Sequence, residues 1–399
     1  MPECDNPLWP CAMTGAAACL AGFEGITVVI HGSSGCYYYP TTLLHAPLEG
    51  TFIMESEVIF GSENRLREVI DGLSGKGNRI AVVNTCVPAV LGEDIRSMLA
   101  SHDVLIVDSP GFAGDVEAGY AKALVALSPS VNPESCGVNI DGACIFDPFF
   151  RGNIQEVSRL LRLASVPVGT VFCSDRLGKV QDASPFTIGT NRDFASGVGE
   201  FLGGTLGTDE IAATFENIGM YFDDADIDPV LRECERDEER IIQACDKFLR
   251  RFDPPRVAIF GGLSYSLFAR KILKNYLDAD IVCIGTRNDP GGSPGTGIDP
   301  GGSPGTTWVQ GMNQVKALIG LHKPDLIIGS SFEQSAAPAP APGFIGLVPP
   351  VRGRVRLAPR TIAGISGTLS FTEDVLNECM NRRGPGVSGT KRQPDSPDR

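Results

Sequence analysis

Short β-branched runs recur along this chain, each ending in a turn that opens a helix pattern. Ile26-Thr-Val-Val-Ile30 leads to His31-Gly-Ser-Ser-Gly-Cys36. Arg79-Ile-Ala-Val-Val83 leads to Asn84-Thr-Cys86 and a helix from about Pro88. Asp103-Val-Leu-Ile-Val107 leads to Asp108-Ser-Pro-Gly111 and a helix through Gly119-Tyr-Ala-Lys-Ala123. A second stretch opens at Cys136-Gly-Val-Asn-Ile140, with a helix over 153–164 and a strand over 166–172. A third opens at Arg256-Val-Ala-Ile-Phe260 and Gly261-Gly262, with a helix ending near Leu277 and strands over 280–284 and 325–328. A long charged helix over 229–251 joins the last two. Strands alternating with helices predict an α/β fold of parallel, doubly wound sheets, whose ligands sit beyond the carboxyl ends of the strands. The reading divides the chain at 1–130, 131–253 and 254–381, with an insertion at 287–306 and a tail at 382–399. The insertion holds a tandem Asp-Pro-Gly-Gly-Ser-Pro-Gly-Thr repeat, and the tail is rich in Gly, Pro, Ser and charge. Neither composition builds a core, so a surface loop and a disordered tail are expected.

Composition narrows the function. Hydrophobic residues make up 42% and charged residues 21% of 399 positions, which is ordinary for a globular chain. The formal charge of −14 disfavours a nucleic-acid partner, because phosphate binding needs a basic surface. No apolar run is long enough to predict a membrane span, and the first residues lack the pattern of a signal peptide. The expected compartment is the cytoplasm, where thiols stay reduced. There the 12 cysteines read as core residues, metal ligands or redox groups rather than as a disulfide scaffold.

Three cysteines stand apart. Cys11 opens a helix, and Cys36 and Cys86 each follow a strand, with glycine near all three. Backbone N–H groups and helix dipoles at such ends favour thiolate over thiol, and thiolates bind iron well. Their spacing alone fits no zinc ribbon or ferredoxin, and a single cysteine is more often an apolar filler. On that basis Cys19, Cys136, Cys144, Cys173, Cys234, Cys245, Cys283 and Cys379 are read as structural. Cys19 has a secondary option of tuning a cluster and Cys173 of lining a cleft.

With these segments in hand, the sequence resembles the nitrogenase component 1 family, nearer its beta-type chain. The matching segments are Cys11-Ala-Met-Thr-Gly-Ala-Ala-Ala-Cys-Leu-Ala-Gly-Phe23, His31-Gly-Ser-Ser-Gly-Cys36 and Asn84-Thr-Cys-Val-Pro-Ala-Val-Leu-Gly-Glu-Asp94. Ser109-Pro-Gly-Phe-Ala-Gly114, Lys323-Pro-Asp-Leu-Ile-Ile-Gly-Ser-Ser331 and Ile362-Ala-Gly-Ile-Ser-Gly367 extend the match. The resemblance implies three Rossmann-like domains and an iron–sulfur cluster, 4Fe–4S or 8Fe–7S, ligated by Cys11, Cys36 and Cys86. It places that cluster at the interface with a homologous alpha-type subunit and implies electrons from an ATP-dependent iron protein. It also shows departures. Family alpha chains hold the catalytic cofactor with a cysteine and a histidine, but Phe186-Thr-Ile-Gly-Thr-Asn191 has no cysteine and no histidine follows His322. Without those two ligands, nitrogen reduction on this chain is not expected. Family beta chains tend to carry serine where Gly111 stands, so the full redox behaviour of an 8Fe–7S cluster is not expected either.

Other residues leave alternatives open. His31 either hydrogen-bonds the backbone or a sulfide near Cys36, or is structural. Tyr37-Tyr-Tyr39 either shields a cluster or packs. Glu93-Asp94 reads as a helix cap. Arg352, Arg354, Arg356 and Arg360 form either an anion site or a solvated strand face. Gly261-Gly262 lacks the rest of a dinucleotide fingerprint, and no P-loop occurs. Three functions are carried forward: a redox subunit reducing a substrate such as a tetrapyrrole or sulfur compound, a scaffold for metallocofactor assembly, and a cluster-free binding protein on the same fold.

Overall fold

The computed structural model of the protein describes residues 9–287, 306–309 and 311–383. The expected insertion and tail lie, apart from their edges, outside the described residues. The first sheet contains β1 (Ile26–His31), β2 (Glu49–Gly50), β3 (Arg79–Asn84) and β4 (Val104–Asp108). The second contains β5 (Val138–Asp141), β6 (Val168–Val171), β7 (Phe186–Gly189) and β8 (Glu200–Gly204). The third contains β9 (Arg256–Gly261), β10 (Asp280–Thr286), β11 (Thr306–Trp308), β12 (Leu326–Gly329) and β13 (Gly343–Gly346). Every strand pair is parallel. The orders are β2-β1-β3-β4, β6-β5-β7-β8 and β11-β10-β9-β12-β13. Numbered within each sheet, the first two share a 2-1-3-4 order and the third reads 3-2-1-4-5, the two common doubly wound arrangements. The α/β reading holds.

The first unit carries α1 (Ala12–Gly22), α2 (Ser34–Leu44), α3 (Glu55–Phe60), α4 (Glu63–Leu73), α5 (Cys86–Leu91), α6 (Ile95–Met98) and α7 (Val116–Ala126). The rest of the chain adds α8 (Phe150–Leu163), α9 (Thr208–Tyr221), α10 (Asp228–Leu249), α11 (Leu263–Leu277), α12 (Met312–His322), α13 (Ser331–Ala336) and α14 (Gly364–Arg383). Among the described residues no helix is long and apolar enough to cross a membrane. The charged helix α10 earns its place through one stripe, Val230, Cys234, Asp237, Ile241, Cys245 and Phe248, recurring every three or four residues and buried.

Small residues in α1 let it lie directly on α7. A Cβ on Gly15 would stand 1.7 Å from Val116 O, and one on Gly119 1.7 Å from Ala12 O, so backbone meets backbone here. The core around α1 includes Phe172, Cys173 and Phe194 of the second unit. A larger core runs without a break from Ile140 and Phe215 through Ile241 to Ile259 and Phe371, welding the second and third units. Tyr265 adds a polar tie: its hydroxyl donates to Asp147 Oδ2 at 2.5 Å and accepts from Asn153 Nδ2 at 2.8 Å. Burial pushes the Asp147 carboxyl up to about 6.

Two readings change here. Cys136 is exposed, because the chain turns through Gly137 (φ +93°) before the strand begins at Val138. The four arginines share neither a strand nor a single site. They lie on an irregular segment between β13 and α14: Arg360 pairs with Asp374 (2.9 Å), Arg354 donates to Phe344 O (3.0 Å), and Arg352 and Arg356 stack over Phe332 and Phe149.

Candidate iron–sulfur site

Parallel pairing places the carboxyl ends of β1, β3 and β4 side by side, with His31 opposite Asn84 and Asn84 opposite Asp108. The chain leaves β1 for Cys36 in the first turn of α2, β3 for Cys86 at the first residue of α5, and β4 for Gly111. The first two turns touch. Thr85 Oγ1 donates to His31 O (2.8 Å), and a Cβ on Gly32 would stand 1.9 Å from that same Oγ1. Only glycine admits this approach.

Cys11 arrives from the other side. It precedes α1 in an extended conformation, bridges Asp115 in antiparallel fashion, and is followed by Ala12 N donating to Gly114 O at 3.1 Å. Gly111 is where Cys11 and Cys86 meet. Gly111 N donates to Cys86 Sγ at 3.0 Å, and a Cβ built on Gly111 would lie 3.0 Å from Cys11 Sγ and 3.2 Å from Cys86 Sγ. The missing side chain is what lets both sulfurs approach. A serine in its place would press on both thiols. Cys36 is half-buried and packs against the same core as Cys11.

Burial pushes the Cys11 thiol up, opposed by the backbone N–H groups of Met13 and Thr14 at the start of α1. As an isolated thiol it is therefore poorly ionised, and a cation at the sulfur would shift that balance toward thiolate. Among the described residues no three His, Cys, Asp or Glu side chains surround a point as a single metal ion requires. Donors on neighbouring turns, with two sulfurs over a bare glycine, are the donor set that would have to hold a cluster, whose irons are spread over several ångströms.

Beneath the Cys36 turn lies a polar knot the sequence did not reveal. Buried His31 places Nδ1 3.2 Å from Thr51 Oγ1 and Nε2 3.2 Å from Ser62 Oγ and 3.4 Å from Glu93 Oε2. Ser62 donates to Glu93 through Oγ (2.5 Å) and N (2.8 Å), and Gly32 N donates to Thr51 Oγ1 (3.0 Å). Glu93 is therefore a partner of His31 rather than a helix cap, whereas Asp94 does cap α6, its Oδ1 accepting from Ser97 N at 3.1 Å. Burial holds the His31 pKa below its ordinary value, with Glu93 opposing. Tyr37 packs edge-on against Phe52 (4.8 Å) and donates to Leu48 O, whereas Tyr38 is exposed.

Around the cysteines the surface is apolar. Phe52, Met54, Val58, Ile59 and Phe60 are exposed on and before α3, as are Val90 and Leu91 on α5 and Phe112 beside Gly111. Deeper in, buried Cys19 lies 3.6 Å from Cys173 Sγ, which in turn sits 2.9 Å from Tyr120 Oη. Cys173 has φ +56° and is packed away from any cleft. At the junction of the three units, Glu117 has an Oε2 with no hydrogen-bond partner among the described residues. Burial, with Asp115 and Asp193 nearby, holds its pKa well above the usual range.

The model of the nitrogenase component 1 type oxidoreductase family matches residues 11–190 and 195–380, beginning at Cys11. The nitrogenase molybdenum-iron protein beta chain of Bradyrhizobium diazoefficiens is 28% identical over 194 residues, 40% of this chain and 36% of its own. The nitrogenase iron-molybdenum cofactor biosynthesis protein NifE of Clostridium pasteurianum is 28% identical over 176 residues, 40% of this chain and 39% of its own. NifN of Mesorhizobium japonicum, with the same description, is 32% identical over 141 residues, 31% of each chain. The chain thus matches between 31% and 39% of the length of these relatives. The solved structure of nitrogenase Cp1 at pH 6.5 superposes with a TM-score of 0.79 at 16% identity, covering 98% of this chain and 96% of that one. A family model spanning nearly the whole described chain, together with that shared fold, shows that the protein belongs to the nitrogenase component 1 type oxidoreductase family.

Proposed function

We propose that this chain is the cluster-binding subunit of a nitrogenase-like oxidoreductase, passing low-potential electrons from an ATP-dependent iron protein to a substrate or metallocofactor. The observation that carries the reading is the approach of Cys11 Sγ and Cys86 Sγ to one point above Gly111, with the Cys36 turn alongside. A 4Fe–4S or 8Fe–7S cluster held there supplies one-electron chemistry at potentials well below those of nicotinamides. The chain's own residues supply three thiolates, a backbone N–H at Gly111 aimed at sulfur, and an apolar rim that keeps water away. That rim is also the surface expected to meet a homologous alpha-type subunit, because exposed apolar patches of this kind mark interfaces. On this reading the protein works in the cytoplasm, and its three units follow the boundaries near residues 130 and 253.

A second reading, a scaffold on which a metallocofactor matures, is favoured by the likeness to NifE and NifN, which are named as cofactor biosynthesis proteins. The test of the ligand set is iron and sulfide analysis of protein purified without oxygen beside its partner chain. Cys36→Ala and Cys86→Ala each lose most of the iron, while Cys379→Ala keeps it. Equal iron in all three variants removes the ligand assignment. Assay with iron protein, ATP and reductant then separates the readings, since a scaffold carries cluster without multiple turnovers.

A further inference from the structure

We infer that Trp9 is a positioning residue for the Cys11 thiolate, tying that cysteine of the first unit to the core of the third. The inference rests on the reading of Cys11 as a cluster ligand. Trp9 is buried, but not among its sequence neighbours: it packs with Ala258, Phe260, Val309, Val315 and Phe344 around the third sheet. Its indole is fixed on edge and face. Nε1 donates to Glu333 Oε1 at 3.2 Å, and the Arg287 guanidinium carbon stands 4.8 Å from the ring centroid. Arg287 Nη2 reaches both Glu333 oxygens (3.0 and 3.1 Å), and Nη1 donates to Pro349 O (3.2 Å). The Glu333 side chain is fully enclosed and also accepts from Ser330 N at 2.7 Å.

Only Pro10 separates this anchor from Cys11. Proline fixes its own φ and drives the residue before it into an extended conformation, so the link has little slack. Two residues span about 7 Å at most. On its other side Cys11 is held by the bridge to Asp115 and by Ala12 N to Gly114 O. Cys11 therefore sits between two fixed points in different units, whereas Cys36 and Cys86 ride on turns of the first sheet alone. A displacement of the third unit against the first must move Cys11, bend the link, or pull the indole out of its pocket. The turn at Ser330–Glu333 follows β12 at the carboxyl edge of the third sheet, where ligands of such sheets bind. A molecule bound at that edge would act on the same turn that grips Trp9.

The test uses the full chain with its partner, comparing wild type, Trp9→Ala, Trp9→Phe and Val315→Ala, the last a fully buried residue of the same core. One measurement is the rate of Cys11 alkylation by iodoacetamide after iron is stripped with chelator, read by peptide mass spectrometry. The other is the electron paramagnetic resonance spectrum and midpoint potential of the iron-loaded protein. Trp9→Ala is expected to speed Cys11 alkylation about tenfold, as local opening becomes easier, and to alter spectrum and potential. Val315→Ala, although it lowers the melting temperature, leaves both as in wild type. Trp9→Phe keeps an aromatic ring but loses the bond to Glu333, and falls between. If Trp9→Ala matches Val315→Ala in alkylation rate, spectrum and potential, the positioning role is overturned. If even wild type binds no iron, the ligand reading of Cys11 fails, and the alkylation rates alone still decide whether the link exists.

Discussion

Cys11 and Cys36 stand at the same end of one sheet, yet the helix after Cys11 and the helices that contain and follow Cys36 are covered very differently. Every residue of α1 from Ala12 to Leu20 is buried, with Gly15 and Gly119 letting α1 and α7 touch through their backbones. By contrast, α2 buries only Pro40 and Leu44, and α3 buries nothing. On α3, Ile59 is 73% and Phe60 87% exposed. An apolar residue left in water forgoes about 2 kcal/mol that burial would supply. One side of the candidate site is thus completed by the chain's own packing, and the other presents a surface shaped for something else to cover. In the proposed function that cover is the alpha-type subunit.

The contrast is most easily broken at the α1–α7 contact. Gly119→Ala must drive two backbones apart and is expected to cost about 3 kcal/mol or more in urea unfolding. Gly72→Ala is the control on α4, where an added Cβ meets nothing within 4 Å, and it should be neutral or slightly stabilising. Similar losses for both would mean that the two glycines are equivalent and the tight contact is unimportant.

On the open side the expectation inverts. The double variant Ile59→Glu, Phe60→Glu should leave the isolated chain's stability within about 0.5 kcal/mol of wild type. Its affinity for the partner chain, measured by co-purification and light scattering, should fall at least tenfold, as for central interface residues. An unfolded double variant would place α3 in the chain's own core.

A smaller effect sharpens the picture of what lies under the Cys36 turn. The His31 pKa is held below its ordinary value by burial, while Glu93 and, more weakly, Glu57 pull it up. As pH falls through about 6.5 the unfolded chain therefore takes up this proton before the folded one, and stability declines. His31→Gln has no such proton to take up. The stability gap between wild type and variant should narrow between about pH 7.5 and pH 5.5 in urea titrations. A constant gap would show that His31 titrates alike in both states.

The sequence announced the strands whose β-branched runs are long, such as Arg79–Asn84 and Arg256–Gly261, and with them the fold class. It did not announce β8 and β13, because Glu200-Phe-Leu-Gly-Gly204 and Gly343-Phe-Ile-Gly346 carry too few branched residues to stand out from loops. At the candidate site, the placement of Cys11, Cys36 and Cys86 at element ends was legible because local signals mark those ends. The knot of His31, Thr51, Ser62 and Glu93 was not, since its members come from four separate segments and only register brings them together. The arginines misled for the opposite reason. Their closeness in sequence suggested a common site, whereas the irregular backbone sends each to a different neighbour.

The bond between Trp9 and Glu333 joins residues 324 positions apart. On the ribosome, at about 5–20 residues per second, the indole emerges on the order of tens of seconds before the residues that will enclose it. The first sheet, and with it the turns of Cys36 and Cys86, has everything it needs long before then. The seat of Cys11 is among the last parts of the molecule to close, so under the proposed ligand set a nascent chain offered iron early would meet it with two of three thiols in place.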